Sequence, residues 1–203
     1  MFRKSIGLIA VVGAAVLTAC APEVETLPVS AKLDPMPLRI PVVGDTKVWK
    51  VGDEQLTRVT VAVNGASRKV EGSEGCNFTS DPGFAPGPLW AGCPDFTDGS
   101  QSYVKSGEIY PLEIGQKVSY AVKGQNVSGD TWETTRNCTV LETVKVTVPA
   151  GSFDTFRVAC NDEFTNRDFY VSPALGTTVL IRRHRKSRNE FKMFEMVSFT
   201  PGT

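Results

Sequence analysis

The sequence lacks the residue patterns that usually carry catalysis. Its single histidine, His184, lies among four arginines and a lysine, where neighbouring positive charge disfavours the protonated imidazole. No G-x-S-x-G motif places a serine on a nucleophile elbow. The adjacent acids Asp162 and Glu163 would point to opposite faces of a strand, so they would not flank one bond as hydrolytic carboxylates must. We therefore expect a protein that is not an enzyme, with His184 as the one candidate base of any unrecognised site.

An excess of charge of either sign is also missing, as is a metal-binding pattern. The chain has 22 basic and 22 acidic residues, whereas a general nucleic-acid binder shows a basic excess. None of the cysteines are spaced as C-x-x-C, and the histidine is remote from all of them in sequence, which argues against zinc. The sequence therefore predicts no nucleic-acid partner, no metal and no cofactor.

The one long apolar run lies at the amino terminus. It extends from Ile6 to Leu17 behind Arg3 and Lys4, and it is too short to cross a bilayer core of roughly 30 Å as a helix. A charged start followed by a short apolar run is typical of a secretory signal peptide. We expect residues 1–19 to be this signal peptide.

The segment Leu17-Thr18-Ala19-Cys20 resembles the lipobox of bacterial lipoproteins. The resemblance implies that Cys20 is acylated and becomes the first residue, and that two or three acyl chains then hold the protein on a membrane. The alternative is an ordinary cleavable signal peptide followed by a coincidental cysteine. In the Gram-negative sorting rule, aspartate after the cysteine favours inner-membrane retention. Ala21 therefore points to the outer membrane, with the domain facing the periplasm.

Four cysteines are left once Cys20 is assigned to the lipid. An even number in an oxidising compartment predicts two disulfides, for which three pairings are open. Spacing favours Cys76 with Cys93, because this bridge would close a Gly/Pro-rich segment that would be costly to order alone. It also favours Cys138 with Cys160.

The second pairing follows from a predicted β-hairpin. A hairpin centred near residue 149 places Cys138 opposite Cys160 if its register has no bulge. One apolar face would then carry the even-numbered residues of the first strand. They are Cys138, Val140, Val144, Val146 and Val148, a face that Glu142 interrupts.

The rest of the chain predicts a tether followed by one all-β domain. Residues 20–45 are rich in proline, which blocks helices and deletes ladder donors, so an extended lipidated tether is expected. Residues 46–203 contain short strand-like runs, and Asn64-Gly65 is a strong hairpin signal. We expect a curved antiparallel meander sheet or half-barrel with little or no helix, carrying an insertion at about 72–107.

Two segments resemble a pattern in uncharacterised Gram-negative envelope proteins. They are VTVPAGSFDTFRVAC at 146–160 and FYVSPALG at 169–176, within a likeness that covers roughly 109–183. The resemblance implies a curved antiparallel sheet similar to the half-barrels of LolA-like periplasmic lipoprotein carriers and to lipocalins. It says little about chemistry, because the shared residues are turn and core residues.

Two classes of function are open. One is a non-catalytic binding or assembly factor for a lipid or other apolar ligand, in which Trp49, Trp90 and Trp132 either line a pocket or belong to the core. The other is a structural or interaction module that contacts a partner protein or an anionic glycan through the Cys76–Cys93 loop and a basic hairpin tip.

The basic tip is the predicted contact for anionic groups. Basic side chains grip phosphate or carboxylate groups, but at a hairpin end they are also ordinary solvated residues that protect a sheet edge. The residues concerned are Arg182, Arg183, His184, Arg185, Lys186 and Arg188.

Overall fold

The chain folds as a closed antiparallel barrel. The computed structural model describes Thr26–Pro28 and residues 32–203, so the predicted signal peptide and Cys20 lie outside the described residues. Within the described part the only helical element is the short 3-10 turn Lys186–Arg188, and the all-β prediction is confirmed. The strands are β1 Thr26–Pro28, β2 Thr46–Val51, β3 Glu54–Asn64, β4 Ser67–Gly72, β5 Asn77–Ser80, β6 Leu89–Ala91, β7 Gly99–Glu108, β8 Lys117–Asn126, β9 Thr131–Val148, β10 Gly151–Asn161, β11 Thr165–Ser172, β12 Thr177–Arg185 and β13 Glu190–Thr200.

Each strand from β2 onward pairs with the next one along the chain. The ring closes because β13 also pairs with β2, so the sheet goes beyond the half-barrel that the sequence suggested. Twelve strands form this ring in the described part of the chain. An eight-stranded barrel is just wide enough for its own side chains to fill, and the diameter grows with strand number. This barrel therefore has room for a cavity.

The β9–β10 hairpin contains the predicted cross-strand pair but not the predicted single apolar face. Cys138 lies opposite Cys160. The ladder shifts by one residue at Leu141, and a one-residue shift sends every following side chain to the other face. The expectation that the valines beyond this bulge share a face with Cys138 is therefore wrong. Those residues are Val144, Val146 and Val148, and they belong to a different apolar cluster.

The apolar interior is divided into two clusters. The first is built from β8, β9 and β10 around Tyr120, Cys138 and Val158. The second brings the tip of the β9–β10 hairpin against Trp49 and Met196 on the opposite part of the wall. The backbone N–H of Ala150 donates to the Met196 carbonyl at 2.9 Å, which fixes the hairpin tip to β13.

Much of the predicted tether lies along the barrel. Leu33 packs against the first cluster, and Met36 and Leu112 exchange two backbone hydrogen bonds of 3.1 and 2.7 Å. Arg39 binds both carboxylate oxygens of Asp45, at 2.6 and 2.8 Å. The folded domain therefore begins well before residue 46.

The Gly/Pro-rich segment at about 72–107 is part of the barrel wall. It supplies β5, β6 and most of β7, and the disulfide Cys76–Cys93 joins its two sides. The loop between β5 and β6 turns inward, where the Tyr120 hydroxyl donates to the Gly83 carbonyl at 2.6 Å. The second disulfide, Cys138–Cys160, is also present. No helix in the described residues has the length and hydropathy needed to cross a bilayer.

Candidate ligand-binding cavity

The barrel encloses a cavity of about 920 Å³. Small-molecule sites usually measure roughly 300–1,000 Å³, so this space is large enough for a sizeable ligand. Its wall is formed by inward-pointing side chains of strands on all sides of the ring, together with the loop between β5 and β6.

Aromatic rings line the cavity along its length. Trp49, Phe78, Phe169 and Phe194 form a band near the middle. Trp90 and Trp132 line the end where β6 and β8 finish, with ring centroids 5.9 Å apart. All three tryptophans of the chain therefore face the cavity, although Trp49 is also a buried member of the second cluster.

Cross-strand glycines make room for the two tryptophans at this end. Trp90 lies opposite Gly99, and Trp132 lies opposite Gly124. A Cβ atom added to Gly99 or Gly124 would come within 2.6 or 2.3 Å of the facing ring. The rings therefore lie flat over the neighbouring backbone, and the space beyond them stays open.

Several cations of the wall are neutralised by carboxylates. Arg136 donates to Asp162 at 2.8 Å in a buried pair, and Asp162 also accepts the backbone N–H of Thr165 at 2.7 Å. Burial alone would raise the pKa of Asp162, but the charge and hydrogen bonds of Arg136 outweigh it and lower the pKa. On the other side of the barrel, Arg58 is bound by Glu74 at 2.7 Å.

Apart from the exposed Arg188, three other cations that line the cavity form no ion pair among the described residues: Lys47, Arg68 and Arg167. Burial, followed by the charge of Arg68, lowers the pKa of Lys47 well below its ordinary value. Burial, with the charge of Arg136, lowers the pKa of Arg167 to about 9. An isolated charge in such surroundings is costly, so the wall is electrostatically suited to an anion.

The basic run at 182–188 is not gathered on one surface. Arg183 and Arg185 point inward, while their strand neighbours Arg182 and His184 point to the other face. His184 stacks on Phe191 at a centroid distance of 4.1 Å. Among the remaining predicted contacts, Lys186 donates to the Asp162 carbonyl at 2.5 Å, and Arg188 is exposed at the cavity mouth.

The two inward arginines are held by a loop that crosses the barrel end. This loop, residues 92–98 between β6 and β7, is called the strap here. Its Asp95 accepts a hydrogen bond from Lys192 at 2.8 Å and one from Arg183 at 3.4 Å. Its Phe96 ring lies 4.0 Å from the guanidinium carbon of Arg185. Because β6 and β12 are on opposite sides of the ring, the strap covers part of the cavity mouth.

Sequence reasoning missed the three unpaired cations. Lys47 lies in the run TKVWKV, where it shares a face with Trp49 two residues later. That parity was a readable signal that an ammonium points toward an aromatic interior. Arg68 and Arg167 gave a similar signal, because Val70 and Phe169 follow them two residues later on the same strand face.

Comparisons with known proteins give a limited result. The sequence matches no protein-family model and no curated protein. Among solved structures, the chain is similar to the hypothetical lipoprotein YmcC from Escherichia coli, with 7% identity, a TM-score of 0.49, and 78% of this chain and 85% of that chain covered. It is also similar to a putative exported protein with a YmcC-like fold from Bacteroides fragilis, with 9% identity, a TM-score of 0.40, and 81% and 99% covered. Neither likeness says what this chain binds.

Proposed function

We propose that this chain is a lipid-anchored protein of the cell envelope that binds an apolar or amphipathic ligand, such as a lipid, inside its barrel. Cys20 carries the anchor, and the domain faces the periplasm from the outer membrane. The observation that supports the binding role is the cavity of about 920 Å³ with aromatic rings along its wall. Apolar ligands bind in concave, mostly apolar sites with a few polar groups.

The proposed role is binding without catalysis. His184, the one candidate general base, stacks on Phe191 and accepts or donates a hydrogen bond with Asn189 at 3.1 Å. Asp162, the inward member of the adjacent acid pair, is occupied by Arg136 and Thr165. These contacts support structural roles for both groups.

Contact with a partner protein through the Cys76–Cys93 loop is the less favoured function. Asp95 and Phe96 of this loop lie against Arg183, Arg185 and Lys192 of the same chain. The side chains best suited to meet a partner are therefore already in contact with the barrel.

Tryptophan quenching tests the binding role. The full chain, reconstituted in nanodiscs of zwitterionic lipid, is titrated with a long-chain alcohol brominated along its chain. Because all three tryptophans line the cavity, we expect saturable quenching of their fluorescence. The unbrominated alcohol is the matched control and should leave the signal unchanged. Quenching that rises linearly without saturation would contradict a binding site.

Metabolic labelling tests the anchor. Cells that express the chain are fed a radioactive or clickable palmitate, and we expect the protein to carry the label. A Cys20→Ala variant should lose it, whereas a Cys138→Ala variant should retain it. A labelled Cys20→Ala protein, or an unlabelled parent, would remove the lipid anchor without affecting the binding role.

A further inference from the structure

We infer that the ligand is an anionic amphiphile whose carboxylate or phosphate group is held by Lys47 and Arg68, with its apolar chain along the aromatic band. This rests on the function proposed above and names the ligand class. The two cations lie on β2 and β4, at the end of the barrel where β3 turns into β4. Both line the cavity.

The neighbouring charges of this end are already balanced. Asp45 accepts two hydrogen bonds from Arg39, and also the backbone N–H groups of Val42 and Gly202 at 3.1 and 2.9 Å. Arg58, which lies opposite Lys47 in the β2–β3 ladder, is bound to Glu74. The uncompensated charge at this end therefore comes from Lys47 and Arg68.

The ammonium of Lys47 is placed where it can donate a hydrogen bond to an anion in the cavity. Its residue is only 8% exposed, and its ammonium donates to the Thr177 hydroxyl. The ammonium also lies 5.8 Å from the ring centroids of Trp49 and Phe199. An ammonium has three donors, so a bound carboxylate or phosphate can accept another and neutralise the charge.

Arg68 supplies a second donor group beside the first. Both side chains line the same cavity. Burial lowers the pKa of Arg68, and the positive charge of Arg68 contributes to lowering the pKa of Lys47. Among the described residues, its guanidinium donates no hydrogen bond to a protein group. A planar guanidinium binds carboxylate and phosphate in a bidentate manner.

The apolar surroundings favour an amphiphile over a free anion. Trp49 follows Lys47 on the same face of β2, and Val70 follows Arg68 on the same face of β4. Phe78 lies directly opposite Val70, and Phe169 and Phe194 continue the band. A chain attached to an anion at Lys47 and Arg68 would therefore lie against apolar side chains.

Arg167 is the competing cation and serves as the matched control. It lies toward the opposite end of the cavity, and its basic neighbours Arg136 and Arg183 are already bound by Asp162 and Asp95. It therefore offers one free guanidinium where the other end offers two adjacent donor groups.

The test compares two probes of equal length. A brominated long-chain fatty acid and the corresponding alcohol are titrated into the full chain in nanodiscs, with each apparent Kd corrected for partition into the lipid. Charge-assisted hydrogen bonds contribute about 1.5–3 kcal/mol, so the acid should bind roughly tenfold tighter or more. Lys47→Met with Arg68→Met should abolish this preference, whereas Arg167→Met should keep it.

The outcomes separate the head-group inference from the binding role. Equal affinity for acid and alcohol in the parent chain would overturn the inference and leave apolar binding intact, and this readout needs no variant. Single Lys47→Gln and Arg68→Gln changes replace the double variant if it misfolds. A preference lost in Arg167→Met would also overturn it. Displacement of the acid by equimolar inorganic phosphate would identify a free-anion site and overturn the amphiphile. If neither probe quenches, both the inference and the proposed function fail.

Discussion

Lys47 is a charged residue that folding places where an apolar one would fit better. Its neighbour Lys50 points outward with a side chain 48% exposed, whereas Lys47 is buried between aromatic rings. Natural proteins often keep such destabilising residues where function requires them. If Lys47 binds the head group as inferred above, its benefit to the protein would appear only when a ligand is present.

Lys47→Met should stabilise the ligand-free protein. The change removes an uncompensated buried charge at similar volume, so we expect a gain on the order of 1 kcal/mol in the free energy of unfolding. Urea unfolding of delipidated protein at neutral pH, followed by tryptophan fluorescence, measures it. The control Lys50→Met should change stability by less than about 0.5 kcal/mol. A clear loss of stability in Lys47→Met would show that the ammonium is a structural group.

At the residue scale, the sequence could predict which cysteines pair but not how deeply a charged side chain is buried. The cysteine pairs followed from spacing because they lie on adjoining strands or flank a single loop. Lys47 and Lys50 are both lysines of the run TKVWKV, and they differ only in the face of the strand to which each side chain points. Parity places Arg68 on the same face as Val70, but the register shift between Thr60 and Ala62 hides which residues of β3 lie beside it.

The strap is an element held mainly by charge. Asp95 is the common acceptor for Lys192 and Arg183 and lies 3.9 Å from Arg185. The hydrogen bond from Lys192 is the chief reason that the pKa of Asp95 is lowered. With this carboxylate removed, the strap would keep its disulfide to Cys76 and the contact of Phe96 with Arg185, but lose the ion pairs to Arg183 and Lys192.

Asp95→Ala should speed ligand exchange. Since the strap covers part of the cavity mouth, its release should raise the association and dissociation rates of the brominated alcohol severalfold, with little change in Kd. Stopped-flow quenching measures both rates. Asp53→Ala, which removes an exposed carboxylate from the β2–β3 turn, is the control and should leave the rates unaltered. Identical rates in Asp95→Ala would mean that ligands enter elsewhere.

At the element scale, the predicted pairing of Cys138 with Cys160 was correct because two one-residue deviations from the predicted register cancel each other. The turn at Pro149-Ala150 pairs Val148 with Gly151, and this register continued unchanged would place Cys138 opposite Asn161. The bulge at Leu141 shifts the ladder by one residue and brings Cys160 into place. Bulges leave little mark in sequence, so the apolar face beyond this one was assigned wrongly.

Two carboxylates, Asp45 and Asp162, connect segments outside the strands to the barrel through ion pairs and backbone hydrogen bonds. Burial would raise the pKa of Asp45, but the Arg39 hydrogen bonds and two backbone N–H groups more than offset it, so the pKa is lowered. The pKa of Asp162 is lowered as well, burial being outweighed by Arg136. Both groups bind protons less readily when folded than when unfolded.

Stability should therefore fall in acid. A carboxylate with a lowered folded pKa stabilises the protein above its unfolded pKa of about 3.9, and this contribution is lost as pH falls through the folded value. We expect Tm to be nearly level from pH 7 to 5 and to drop steeply below about pH 4. Asp162→Asn should lower Tm at neutral pH and make the decrease of Tm below about pH 4 less steep. An unchanged slope in that variant would exclude Asp162 as a contributor.

At the scale of the whole molecule, the fold class was predictable and the closure was not. Alternating runs and Asn64-Gly65 signalled strands in 46–203 on both sides of the insertion at about 72–107. The strands β5 and β6 have four and three residues, too few for a periodic pattern to show, and they lie in a segment whose composition suggests a loop. Without them a ring cannot be inferred, and neither can the cavity that it surrounds.

The pairing of β1 with β9 has a consequence for how the barrel would stand on a bilayer. Thr26 pairs with Val146, close to the turn at 149–150 and far from the strap. Six residues beyond it span at most about 20 Å, so a lipid on Cys20 would direct this end of the barrel toward the membrane and the strap toward the periplasm. Lys47 and Arg68 would then lie at the membrane-facing end. An amphiphile bound as inferred, with its head group at these two cations and its chain along the aromatic band, would therefore point its chain away from the bilayer.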